Sequence, residues 1–407
     1  MARRRVSFWE PGLILPIALL VVIGGLMVYS ATVLSRTGED ALFFRHLVAV
    51  VVGVMAGLVL AWLPPRILED LSPLLYFLSI LFLVAVLFAG DVHHGARRWL
   101  SIGPIRFQPS EPAKLGFILY LGMFLARKRC DLSRFWSLAG ALAIVGVPFL
   151  LVLREPDLGT ALSFPATGLG MLIWAGLPWL TLFTLVSPVL MALLSSHFLL
   201  WVPVLLGGVA LLRRGGISWI LIGIYAAIQI GIAIETPRLW NSLEPYQRAR
   251  LSTFLDPERE PAGAGYQVIQ SKIAIGSGCV TGQGYGRGSQ KSLAFLPRQH
   301  TDFIYSVVGE ESGFVGGMGV LGLFGVLLLR GLALTRRVRS RFGSVVGVGV
   351  ISLIFYHAVI NIAMTLGLAP VTGLPLPFLS FGGSFMVTAL GGAGLLVGVT
   401  ARRSEYE

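Results

Sequence analysis

The chain has 407 residues, 55% of them hydrophobic and 13% charged, with a mean hydropathy of +0.80 and a net charge of +12. That much apolar surface excludes an ordinary soluble domain, and the long non-alternating runs exclude a transmembrane β-barrel. The positive charge reads as cations collected on cytoplasmic loops, not as a nucleic-acid surface.

The basic start, "MARRRVSFWEPG", leads into a full-length apolar run without a small-residue cleavage site, so a first helix is expected rather than a removed signal. Apolar spans follow near 12–34, 43–63, 73–89, 113–126, 136–153, 158–175, 179–195, 198–212 and 217–234. After a polar stretch, 235–302, they resume near 303–330, 345–368 and 381–400. The expectation is an all-α polytopic membrane protein of about twelve spans, one integral membrane domain over 1–407. The shortest runs, 113–126 and 198–212, are the weakest as full spans.

Placing Arg3–Arg5 in the cytoplasm puts Arg66, Arg127–Arg129, Arg134, Arg213, Arg214, Arg336, Arg337, Arg339, Arg341, Arg402 and Arg403 on the same side. Both termini are then cytoplasmic. Cys130 and Cys279 fall on opposite sides, so no disulfide is expected. Two outer segments break the charge rule. One is the short 90–112 stretch with Arg97, Arg98 and Arg106; the other is the long 235–302 loop.

The polar residues worth attention gather at the outer face. Arg97 and Arg98 suit either lipid headgroups or an anionic ligand such as a pyrophosphate. In "RFQPSEPAKL", Ser110 and Pro112 are helix-entry residues, yet Glu111 and Lys114 at a helix mouth are costly unless paired or wet. Asp157 in "REPDLGT" suits a helix cap, with Arg154 a weak surface partner. "GSGCVTGQGYGRGS" lacks the phosphate-loop pattern, so a flexible loop or close backbone packing is favoured over a nucleotide. His300 and Asp302 open a span in which Glu310 and Glu311 sit well inside. The histidines His93, His94 and His300 lack a metal-specific spacing. The Pro- and Gly-rich run "PVTGLPLPFLSFGGS" reads as non-helical backbone at the membrane edge. An outer site has no ATP. It calls for a substrate that carries its own leaving group, or for a gradient. A sugar polymerase on a lipid pyrophosphate and a proton-coupled transporter both satisfy that demand.

The blocks "RFQPSEPAKL", "REPDLGT", "LDPEREPAGAGYQVIQSKIAIGSG", "FLPRQHTDFIYSVVGEESG" and "PLPFLSFGGS", in order along nearly the whole chain, resemble the SEDS family of cell-wall polymerases. "QSKIAIGSG" and the rod-type ending are nearer its RodA branch than its FtsW branch. The resemblance implies a SEDS fold and a peptidoglycan glycosyltransferase acting on lipid II and the nascent glycan strand at the outer leaflet of the bacterial cytoplasmic membrane. It also implies a class B penicillin-binding protein as partner, Mg2+ or Mn2+ as an aid to the pyrophosphate, and no nucleotide or nucleic acid. The rival class is a flippase of the same lipid, coupled through Glu310 and Glu311; a third is a non-catalytic scaffold.

The family's essential acid lies in a pattern resembling D-P-x-x-D-P-x-G-x-G-Y. Asp256 matches its first Asp, and Glu260 stands at the second, the position of the catalytic candidate. Glu260 is therefore expected as the base, with Asp256 second. Arg98, Glu111 and Lys114 match outer-cavity positions of the family, and Asp157 matches its "PDLG" acid. Lys272, His300, Asp302 and Ser380 complete the expected substrate contacts; no metal ligand is expected. The family implies about ten spans. The 176–234 stretch is long enough to add a pair without moving the long loop from the outer side.

Overall fold

The computed structural model describes residue 8 and residues 10–34, 40–93, 96–102, 105–128, 130–194, 198–242, 264–288 and 299–403. Thirteen helices occupy them. The first nine are α1 (Pro11–Thr32), α2 (Asp40–Trp62), α3 (Pro65–Ala89), α4 (Ser110–Ala126), α5 (Phe135–Arg154), α6 (Leu158–Trp174), α7 (Trp179–Leu194), α8 (Phe198–Arg214) and α9 (Trp219–Ser242). After the long polar stretch come α10 (Ala264–Ser277), α11 (Ile304–Thr335), α12 (Arg341–Thr365) and α13 (Gly383–Ala401). Among the described residues, eight helices are long and apolar enough to cross a membrane. The chain is a multi-pass membrane protein. The two runs weakest as spans become α4 and α8, each of 17 residues, at the lower limit of about 17 for a spanning helix.

The bundle is built around α12 and α13, whose spanning windows are 72% and 83% buried; that of α2 is only 22% buried. Helix α12 packs on α4, α6, α11 and α13, while α2 lies along α13. Small residues set that last contact. A Cβ on Gly394 would stand 2.1 Å from the Gly57 carbonyl oxygen, so both backbones touch where any larger side chain would part them. Lipid offers no hydrophobic drive between helices, and such close packing is what holds them.

Helices α7, α8 and α9 pack mainly on each other. Their own small core is Leu212, Ile222 and Tyr225, and Gln229 Nε2 donates to Ser187 Oγ at 2.6 Å. The 176–234 stretch thus holds a separate three-helix unit beside the main bundle.

Four expectations change. The 90–112 stretch adds a small antiparallel sheet to the helical bundle: β1 (Asp91–His93), β2 (Ala96–Ile102) and β3 (Ile105–Phe107), in that order. The polar 235–302 stretch is not all loop, because α9 runs on to Ser242 and α10 lies within it. Ser110 does not cap α4: Pro109 holds the cap position without a side-chain bond, and Ser110 Oγ is buried without a hydrogen-bond partner among the described residues. Finally, Glu310 and Glu311 are not deep in an unbroken span, since α11 is interrupted at Gly313 (φ +64°, ψ −161°). Only glycine adopts that conformation without strain.

The glycine-rich run fills the break in α11. Phe314 N and Val315 N donate to the Cys279 and Val280 carbonyls at 2.9 and 3.1 Å. Gln283 N and Gly284 N donate to the Glu310 and Glu311 carbonyls at 3.0 and 3.1 Å. The backbone groups freed by the break are therefore satisfied by a neighbouring segment, as a low-dielectric site demands. Of the two readings open for this run, flexible loop or close backbone packing, the structure shows the second.

Candidate functional site

Strand β2 positions the first cation. Successive side chains on a strand point to opposite faces. Arg97 is exposed, with its guanidinium only 3.4 Å from the Leu87 carbonyl, whereas Arg98 turns toward the α5–α6 junction. There Arg98 Nε donates to the Glu155 carbonyl at 3.2 Å, one terminal nitrogen donates to the Pro156 carbonyl, and the other stands 3.5 Å from Asp157 Oδ2. Asp157 also caps α6, accepting from Thr160 N at 3.2 Å. The cap expected from sequence is present. The partner of Asp157 is Arg98, across 59 positions, and not its neighbour Arg154.

Glu155 is 1% exposed, and neither carboxylate oxygen has a hydrogen-bond partner among the described residues. Burial, and secondarily the Asp157 charge, push its carboxyl up from 4.5 to about 8; Arg98 opposes the rise. Between those values the folded chain holds a proton that the unfolded chain has released. Stability contributed here therefore falls as pH rises from about 4.5 to about 8 and levels off above. The slope is at most ~1.4 kcal/mol per pH unit. Unfolding midpoints of the detergent-solubilised protein from pH 5 to 9 should show this decline, and Glu155→Gln should flatten it.

The second cation lies inside the bundle. Lys114 and Glu111, one helical turn apart on α4, pair at 2.8 Å and are 1% and 3% exposed. The cost of an ammonium in this setting is offset by that pair, by His357 Nε2 at 3.3 Å, and by the Phe385 ring 5.4 Å away. His357 lies on α12. Four residues further along the helix, Asn361 Nδ2 donates to the Asp302 carbonyl at 2.9 Å and the Leu374 carbonyl at 2.6 Å. Thr365, after four more, offers its carbonyl to Ser271 Oγ at 2.6 Å. Sequence reasoning missed this stripe. Its signal was the four-residue spacing of His357, Asn361 and Thr365 in an otherwise apolar helix.

Asn361 ties the "QHTDF" and "PLPFLSFGGS" segments together, and Ser380 adds to the seam. Its Oγ donates to the Thr301 carbonyl at 2.6 Å and accepts from Leu376 N at 2.8 Å. Phe381 N donates to the His300 carbonyl at 2.9 Å. The Phe381 ring lies between His300 and His46, centroids 5.6 and 6.3 Å away. His300 and Asp302 precede α11 rather than starting it. Asp302 Oδ2 faces Gly373 on the loop that also covers Gly159 of α6. Arg98, Asp157, Asp302, Ser380 and the Glu111–Lys114 pair are thus joined through α6, α12 and the 370–381 loop. Lys272 stands apart, exposed on α10, with its stem against Gly367. Asp256 and Glu260 lie outside the described residues. Among the described residues, no three His, Cys, Asp or Glu side chains gather as a metal site.

Comparison with known proteins identifies the family. The profile of the FtsW/RodA/SpoVE family, described as "Cell cycle protein", matches residues 12–205 and 201–405. The chain is 37% identical over 400 residues to the peptidoglycan glycosyltransferase MrdB of Escherichia coli K12, covering 98% of this chain and 96% of that one. It is 34% identical over 438 residues to the peptidoglycan glycosyltransferase RodA of Treponema pallidum, covering 99% and 100%. Among solved structures, a chain described under structural coordination of polymerization and crosslinking by a peptidoglycan synthase complex superposes with a TM-score of 0.73 at 32% identity, covering 98% and 99%. The rod shape determining protein RodA of Thermus thermophilus does so at 0.65 and 27% identity, covering 98% of each chain. The chain belongs to the FtsW/RodA/SpoVE family.

Proposed function

We propose that this protein is a peptidoglycan glycosyltransferase that polymerises lipid II at the outer leaflet of the bacterial cytoplasmic membrane. The carrying observation is its whole-length likeness to relatives bearing that activity in their names. Two features are compatible with it, the enclosed Lys114 ammonium and Arg98 at the α5–α6 junction, as cations near which an anionic leaving group is stabilised. In the reaction, a hydroxyl of one lipid-linked sugar attacks the anomeric carbon of another. The carbon–oxygen bond to pyrophosphate breaks, and the pyrophosphate leaves with the electron pair. Glu260, with Asp256 as second candidate, takes the hydroxyl proton. Lys114 and Arg98 stabilise the charge that develops on the leaving group, directly or by shaping its site.

Mg2+ or Mn2+ would assist by neutralising that same pyrophosphate when bound. The described residues offer it no cluster of their own. Asp157, His300 and Asp302 are the proposed further substrate contacts, with Ser380 holding the 301 and 376 segments beside them and Lys272 reaching substrate from outside the group. The transport alternative finds no support: the MrdB and RodA relatives are named as transferases, and Glu311 Oε1 accepts from Ser30 Oγ at 2.5 Å as part of the α1–α11 contact. A class B penicillin-binding protein is the proposed partner, as the synthase complex among the structural neighbours suggests. Formation of glycan strands from lipid II by the purified protein tests the reading.

The proposed orientation has twelve spans, with both termini cytoplasmic and α7–α8 as the added pair. Arg214, exposed at the end of α8, is then cytoplasmic. In a chain carrying Cys130→Ser and Cys279→Ser, an Arg214→Cys variant should react with a membrane-impermeant maleimide only after cells are permeabilised. Labelling of intact cells would contradict the orientation.

A further inference from the structure

The Lys114 ammonium has three N–H donors and is almost wholly enclosed. Glu111 Oε1 takes one at 2.8 Å, and His357 Nε2 stands 3.3 Å away. An ammonium cannot accept a hydrogen bond, so the imidazole nitrogen facing it must. The ring is then neutral, with its proton on Nδ1. Phe385 closes the group: its ring lies 5.4 Å from Lys114 Nζ and 4.8 Å, centroid to centroid, from the His357 ring. Three helices, α4, α12 and α13, thus converge on one ammonium. The imidazole is carried one turn from Asn361, the residue that ties the 302 and 374 carbonyls, so it is fixed to the same rigid face as the outer seam.

We propose that His357 is a positioning residue for the transferase: its Nε2 fixes the direction of the Lys114 ammonium within this closed group, so that its charge stays aimed at the pyrophosphate of the lipid-linked substrate. This rests on the reading of Lys114 as a cation that stabilises the leaving group. Without the acceptor, one donor is left unmet and the flexible lysine stem is free to turn away. Leucine keeps the volume of the site and removes the acceptor. Glutamine keeps an acceptor, its side-chain carbonyl.

The test measures affinity for undecaprenyl pyrophosphate, together with kcat and KM for lipid II, on purified full-length protein whose folding is checked by thermal unfolding. His357→Leu should weaken binding and lower kcat/KM about tenfold, and His357→Gln should restore most of both. In a Glu111→Gln/Lys114→Met background, which has no ammonium to orient, adding His357→Leu should change the affinity no further. If His357→Leu yields no folded protein, His357→Phe serves the same comparison. Equal losses in the leucine and glutamine variants, or a further tenfold loss in the background lacking Lys114, would overturn the proposal. A wild-type protein that neither binds undecaprenyl pyrophosphate nor polymerises lipid II would instead overturn the transferase reading on which it rests.

Discussion

Glu260→Gln is expected to lower the polymerisation rate about 10²–10⁴-fold, the usual contribution of a general base, with the protein still folded. Glutamine keeps the size and polarity of the side chain and removes only its capacity to take a proton. Glu260→Asp retains the carboxylate but withdraws it by one methylene, so an intermediate rate is expected. Asp256→Asn should cost less than Glu260→Gln if Glu260 is the base. The reverse order would transfer the role to Asp256. The measurement is the initial rate of glycan formation from lipid II at matched protein concentrations. Full activity in Glu260→Gln would remove Glu260 from the mechanism.

Breaking the Glu111–Lys114 pair from either side should destabilise the protein by about 3–5 kcal/mol, because one charge is left buried without its counter-charge. The two halves are not equivalent. In Glu111→Gln the ammonium keeps His357 and the face of Phe385. In Lys114→Met the carboxylate keeps nothing of that kind, since Glu111 Oε2 already lacks a hydrogen-bond partner among the described residues. Lys114→Met should therefore be the more damaging single change. The double variant Glu111→Gln/Lys114→Met should recover most of the lost stability, because a neutral pair carries no stranded charge. It should not recover polymerisation, because the cation is gone. Thermal unfolding in detergent and the lipid II assay separate the two effects. Recovery of both would make the pair structural only.

The helical spans were legible because apolar runs of adequate length have no other stable home. Asp157 was legible as a cap because capping is local: donor and acceptor lie three residues apart. The Glu111–Lys114 pair was half legible: the spacing on one helical turn called for pairing or a water-filled cavity, and the structure shows the pair, almost wholly enclosed. What escaped was long-range. Arg98 meets carbonyls 57 and 58 positions away, and no periodicity encodes that. The break at Gly313 was hidden because glycine is common in membrane helices; only the packed 279–284 segment distinguishes this one. Glu155 follows directly on a helix end, where acids are ordinary, and its isolation depends on burial that the sequence does not show. The His357 stripe was readable in principle and was masked by its apolar neighbours.

The most direct test of the central claim uses the purified protein in detergent with lipid II and Mg2+ or Mn2+, with no partner protein, no nucleotide and no membrane gradient. Glycan strands should accumulate with one undecaprenyl pyrophosphate released per bond formed, and Glu260→Gln should make almost none. Lipid II left unpolymerised by the wild-type protein, or strands formed equally by Glu260→Gln, would contradict the account.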